Sequence, residues 1–104
     1  MQQVECSGSS LPSGSSLYAM VIYERRGDRI VSSVDIQNKE CSTSDYFNAC
    51  SIDDRQPRKT RLTILVSDLS EGESREYGCN ASLKTSSGRF KVESWFITVR
   101  GLSK

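Results

Sequence analysis

Residues 62–79 read Leu62-Thr63-Ile64-Leu65-Val66-Ser67-Asp68-Leu69-Ser70-Glu71-Gly72-Glu73-Ser74-Arg75-Glu76-Tyr77-Gly78-Cys79. The segment opens on strict alternation. Leu62, Ile64 and Val66 fall on one face of an extended chain, Thr63 and Leu65 on the other, because successive strand side chains point opposite ways. A register slip of one residue would turn the apolar set out to water, so the alternation commits one face to a core. A turn-rich run follows, and then a second extended segment holds Tyr77 and Cys79 two residues apart, on one face.

Outward from this stretch the chain repeats the same habit. Residues 17–23 are rich in β-branched and aromatic side chains, residues 29–36 alternate in part, and residues 76–83 and 90–100 complete a set of short strands. Turn clusters at 7–16, 25–28, 67–74 and 85–88 divide them. No stretch repeats apolar residues at helical spacing. Short strands at these intervals predict an all-β, antiparallel two-sheet sandwich or a barrel. The Ser/Gly-rich residues 7–16 read as a loop, because too little chain precedes them to form another domain. Residues 45–58 are polar and hold no convincing strand.

The 104 residues fit a single domain spanning 1–104. Met1 followed by a polar start reads as an expression start on a fragment of a longer protein. Net charge is +1, so no global field draws the chain to nucleic acid or anionic lipid. No apolar run reaches the roughly 20 residues of a membrane helix, so no direct membrane insertion is expected of this segment. Cys6, Cys41, Cys50 and Cys79 are widely spaced and the chain has no His, a pattern unlike a zinc site. An even count at wide spacing predicts two disulfides and an oxidising compartment. Four cysteines allow three pairings.

The 62–79 stretch resembles the E–F segment of immunoglobulin superfamily domains. That family has an alternating apolar triplet, a Leu, an acidic residue four before a Tyr, and then Tyr-x-Cys, all at the spacing found here. The resemblance implies an immunoglobulin-like sandwich, variable or intermediate in type, with an incomplete N-terminal strand. It implies that Leu69 plugs the base of the sandwich and that Tyr77 forms a tyrosine corner, its hydroxyl bonding backbone upstream. It gives Glu73 the acidic place and pairs Cys79 with Cys6, leaving Cys41 to Cys50. The alternative, Cys41 or Cys50 bonded to Cys79 as in more compact members, stands beside it. The chain departs from the family in three places. Met20 stands near the usual strand-C Trp, Glu73 replaces the usual Asp, and Arg75 replaces a small residue. A narrower likeness runs from Ser16 to Val34, which resembles immunoglobulin domains of mollusc fibrinogen-related immune lectins and implies secreted innate-immune recognition.

Catalytic chemistry finds little footing. Without His there is no Ser–His–Asp or Cys–His set, and no Ser sits in a nucleophile elbow. Asp53 and Asp54 do not match an EF-hand calcium loop, and no glycine-rich phosphate cradle exists. Metal and cofactor are expected to be absent. Arg55, Arg58, Lys59 and Arg61 form a short basic cluster suited to an acidic partner or to plain solvation. Asn80-Ala81-Ser82 is a glycosylation sequon, and alternation from Cys79 points Asn80 outward. Val21 and Tyr23 share an outward parity, with Arg25, Arg26 and Arg29 beside them, so these five are the candidate partner contacts. Counting from Val99 puts Trp95 inside and Phe96 outside; counting from Phe90 reverses them, and a bulge would reconcile the two. The expected core is Cys6, Met20, Ile22, Leu62, Ile64, Leu69, Tyr77, Cys79 and Val99. The expected function is extracellular recognition or adhesion, secreted or on a cell surface, toward a protein or glycan partner of unstated identity. The alternative is a stand-alone secreted effector or inhibitor.

Overall fold

The structure is a computed structural model and describes residues 2–8, 11, 14–27, 29–43, 48–53, 55–66 and 69–101. Among the described residues eight strands run in order: β1 (Gln2–Ser7), β2 (Ser16–Glu24), β3 (Arg29–Asp35), β4 (Glu40–Thr43), β5 (Asn48–Ser51), β6 (Arg61–Val66), β7 (Ser74–Lys84) and β8 (Phe90–Arg100). One 3-10 turn, Pro57–Lys59, precedes β6. The strands form a three-stranded sheet ordered β1-β6-β5 and a five-stranded sheet ordered β4-β3-β2-β7-β8, with every pairing antiparallel. The molecule is an all-β, immunoglobulin-like two-sheet sandwich.

Alternation builds the core. Leu62, Ile64 and Val66 on β6 point inward beside Val4 and Cys6 on β1. Leu17, Met20 and Ile22 on β2 meet them from the larger sheet, with Tyr77, Cys79, Ala81 and Leu83 on β7 and Val99 on β8. Eight of the nine expected core residues are buried; Leu69 is half-buried and packs against the cluster. Met20, near the place that a strand-C Trp takes in immunoglobulin superfamily domains, is 1% exposed. An unbranched thioether side chain adapts to that space.

Two register shifts shape the larger sheet. One, on β2 between Leu17 and Ala19, leaves Tyr18 unmatched with β7. The other leaves Val31 unmatched between Ile30 and Ser32, and both Val31 and Ser32 are then buried. A bulge supplies this: one extra residue lets neighbours on a strand turn to the same side. The β3–β4 turn is tied by Asp35, whose Oδ2 accepts from Asn38 Nδ2 at 2.7 Å and whose Oδ1 accepts from the Asn38 backbone at 3.1 Å. These bonds hold its carboxyl below the usual range.

Residues 45–58 were expected to lack a strand, and here the structure differs. β5 pairs along β6 from Asn48↔Ile64 to Ser51↔Arg61. A four-residue edge strand has too little sequence for a pattern to register; its partner supplies the order. The structure bonds Cys6 to Cys79 and Cys41 to Cys50, with Cα separations of 6.1 and 6.3 Å. Both bridges cross between the sheets. The first joins β1 to β7 through the middle of the sandwich, and the second joins the edge strands β4 and β5.

Candidate functional site: the outward face of the five-stranded sheet

The inward faces are spent on the core, so the surfaces left for recognition are the outward ones. β7 and β8 pair in one unbroken register from Ser74↔Arg100 to Lys84↔Phe90. No bulge intervenes, and the count from Val99 holds along the whole of β8. Trp95 lies opposite Cys79, half-buried against the core, while Phe96 lies opposite Gly78 on the outward side and is 49% exposed. Phe90 and Val92 also point outward, at 69% and 57% exposure. Ile30 joins them from β3, opposite Tyr23. Four of the five large apolar side chains most open to water among the described residues thus lie on one face of one sheet; Leu65 is the fifth.

Three sites on this face have internal structure. At the β2–β3 end, Tyr23 lies across Gly78. A Cβ built at Gly78 would collide with Tyr23 Cζ, Cε1 and Oη, so the glycine is what lets the ring lie flat on β7. Beside it the Arg25 guanidinium stacks 4.3 Å from the Phe96 ring centroid and pairs with Glu76 Oε1. Arg26 and Arg29 are exposed at the same end. At the middle, Asn80 sits between Val21 on β2 and Ser94 on β8. Ser94 Oγ donates to Asn80 Oδ1 at 2.7 Å. At the far end Tyr18 meets Phe90 edge-on, with ring centroids 5.5 Å apart.

Tyr23, Arg25, Arg26 and Arg29 are therefore gathered at one end of one face, and Val21 lies toward its middle. Ile30 and Phe96 belong with them and escaped the sequence reading. Parity counted back from Val99 carried a signal for Phe96. Ile30 carried none, because the bulge at Val31 breaks the alternation that would have placed it.

The motif residues lie below this face. Tyr77 is 3% exposed. Its hydroxyl accepts from Arg75 Nη1 at 3.4 Å, and no bond to the backbone upstream is made among the described residues. Arg75 Nη2 also reaches Glu73 Oε1 at 3.3 Å. Two of the three departures from the immunoglobulin pattern, Glu73 and Arg75, thus pair with each other, and the arginine occupies the tyrosine's hydroxyl. The turn before them depends on Gly72, whose φ is +81°, and closes through Glu73 N–H donating to Ser70 O at 2.9 Å.

The remaining candidates disperse. Asp53 Oδ1 accepts from the backbone of Arg55 and Gln56 at 3.0 and 2.9 Å, which makes it a turn residue; Asp54 lies outside the described residues. Arg58 donates to the Leu11 carbonyl, and Arg61 Nε lies 3.6 Å from Glu5 Oε1. Lys59 and Arg55 are exposed, so the basic cluster does not converge on one point. Among the described residues no three His, Cys, Asp or Glu side chains gather as a metal site, and no helix is long and apolar enough to cross a membrane.

Compared with known proteins, the chain matches no protein-family model and no curated protein sequence. Solved structures do match. A structure of murine CRIg superposes with a TM-score of 0.66 at 15% identity, covering 95% of this chain and 82% of that one. At that identity the likeness is one of fold, and it agrees with the immunoglobulin-like sandwich built above.

Proposed function

We propose that the chain is a non-catalytic extracellular recognition domain of the immunoglobulin superfamily. It binds a protein or glycan partner, without metal or cofactor, through the β2–β3 end of its five-stranded sheet. The observation that carries this reading is the pair of exposed apolar side chains Ile30 and Phe96 at that end, with Val92 and Phe90 continuing along the same sheet face. Single exposed apolar side chains are ordinary on a protein surface, whereas several on one face mark a contact site. Tyr23 and Val21 add contact area there, and Arg25, Arg26 and Arg29 add donors. Tyr and Arg are the side chains most enriched where binding energy concentrates.

The five-stranded order β4-β3-β2-β7-β8 favours the variable type, which extends its larger sheet by two strands on that side. Two disulfides favour an oxidising, extracellular setting, secreted or surface-anchored. Innate-immune recognition is the narrower form of the proposal, and it rests on the likeness of residues 16–34 to the mollusc lectin domains.

A binding screen against surface ectodomains and glycans identifies the partner. Tyr23→Ala and Arg25→Ala are then each expected to weaken affinity by about 1 kcal/mol or more, with melting temperature followed to separate contact loss from unfolding. If both folded variants stay within about 0.5 kcal/mol of wild type, the binding site lies elsewhere.

A further inference from the structure

We infer that the apolar field around Asn80 is the bed of the domain's own N-linked sugar, whose first N-acetylglucosamine lies over Val92 and Phe96. The inference rests on the extracellular setting proposed above, and it reaches further by assigning an occupant to the middle of the exposed face.

The register supplies the geometry. Asn80 has Val21 opposite on β2 and Ser94 opposite on β8. The diagonal outward neighbours are Tyr23 and Ala19 on one side, Phe96 and Val92 on the other, at the roughly 7–8 Å of diagonal cross-strand pairs. Apart from Ser82 on its own strand, the Asn80–Ser94 pair therefore has apolar outward neighbours on both sides. The 2.7 Å bond from Ser94 Oγ fixes the carboxamide by its Oδ1. The other end, Nδ2, has no hydrogen-bond partner among the described residues and is not a buried atom. Nδ2 is the atom that sugar transfer uses. Its bond to sugar C1 forms as the bond from C1 to a polyprenyl pyrophosphate breaks; Nδ2 gives up one proton and the lipid pyrophosphate leaves. The sequon Asn80-Ala81-Ser82 meets the requirement for that transfer.

The chemistry of the surround selects the sugar over a flat protein contact. A partner sheet laid on this face would bury the Asn80–Ser94 pair in a dry apolar setting and strip Nδ2 of water without replacement. A sugar joined to Nδ2 removes that conflict. Its C–H face and acetyl methyl cover apolar side chains while its hydroxyls stay in water. Val92 and Phe96, 57% and 49% exposed, are the uncovered surface within reach. Partner contact is then confined to the β2–β3 end, where Tyr23, Ile30 and Arg25 lie.

The test uses the protein secreted from a eukaryotic host and trimmed enzymatically to one N-acetylglucosamine. Intact mass should exceed that of Asn80→Gln and of Ser82→Ala by one sugar once the mass change of each substitution is subtracted. The acetyl methyl proton signal should be shifted upfield by the Phe96 ring, should show nuclear Overhauser contacts to Phe96 and Val92, and should lose the shift in Phe96→Ala. A secreted, disulfide-bonded protein with unmodified Asn80 overturns the inference while leaving the recognition reading to its own binding assay. A modified Asn80 whose acetyl methyl matches a free glycopeptide, and does not respond to Phe96→Ala, overturns the seating alone.

Discussion

Gly78 sits between Tyr77 and Cys79, and its freedom from a side chain serves a residue far away in the chain. The Tyr23 ring occupies the space that any Cβ at position 78 would need. Gly78→Ala should therefore lower stability by about 1–3 kcal/mol, the usual cost of forcing volume into a packed site. The loss should be much smaller when Tyr23 is already alanine, since contacting residues do not act additively. Equal losses in both backgrounds, read by denaturant unfolding, would show that the ring does not set the cost. Ser32 makes the opposite case. It is fully buried on the inward side of β3, and its Oγ has no hydrogen-bond partner among the described residues. An unpaired buried hydroxyl costs about 1–3 kcal/mol, so Ser32→Ala is expected to leave the fold intact and raise the melting temperature. A fall in melting temperature would mean the hydroxyl is satisfied after all. Neither residue stands out in the sequence. Tyr-x-Cys accepts many residues at x, and a Ser within an alternating strand reads as outward until a bulge turns it in. Glu73 and Arg75 look like faults against the family pattern, and they become intelligible only as a pair, with the arginine shared between the carboxylate and the Tyr77 hydroxyl.

At the scale of elements, the two disulfides have different loops to close and a shared geometric task. Cys6–Cys79 closes a separation of 73 residues and Cys41–Cys50 one of 9. In the chain-entropy model these correspond to about 4 and about 2.5 kcal/mol. Both span the two sheets, so each should matter beyond its own loop. Replacing Cys6 and Cys79 with alanine should cost more in melting temperature than replacing Cys41 and Cys50. The second pair should instead lose amide-exchange protection locally at β4 and β5. A larger thermal loss from the Cys41/Cys50 pair would show that sheet closure at the rim outweighs loop entropy. How legible each element is follows from how much of its order is local. β6 and the start of β7 are written in residues 62–79, because alternation and motif spacing are properties of contiguous sequence. β5 is not, since four residues with no large apolar side chain acquire strand geometry only from β6 and the nearby bridge. For β8 the sequence offered two registers, and its long pairing with β7 chose between them. The candidate site was half legible on the same grounds: parity placed Val21, Tyr23 and Asn80 outward, while Ile30 and Phe96 depended on a bulge and a register that arise between strands.

For the molecule as a whole, the net charge of +1 bears directly on how it meets a partner. Charges of both signs lie along its surface in pairs: Arg25 with Glu76, Arg61 with Glu5, Arg75 with Glu73, and Lys91 with Glu93. Paired surface charges cancel at a distance, and at physiological ionic strength screening removes most of the remainder beyond about 8 Å. Long-range attraction is therefore weak, and association should proceed at the roughly 10⁵–10⁷ M⁻¹s⁻¹ set by orientation. The association rate should change less than about threefold between low and physiological salt, since steep salt dependence belongs to strongly charged, steered encounters. The measurement also separates the two surfaces that offer cations. A sulfated glycan gripping Arg55, Lys59 and Arg61 would release counterions and lose affinity steeply as salt rises. Apolar contact at Tyr23 and Ile30, with Arg25 already held by Glu76, would not. Surface plasmon resonance with the identified partner across a salt series decides between them, and a steep loss of affinity would move the binding site from the five-stranded sheet to the segment around the 3-10 turn.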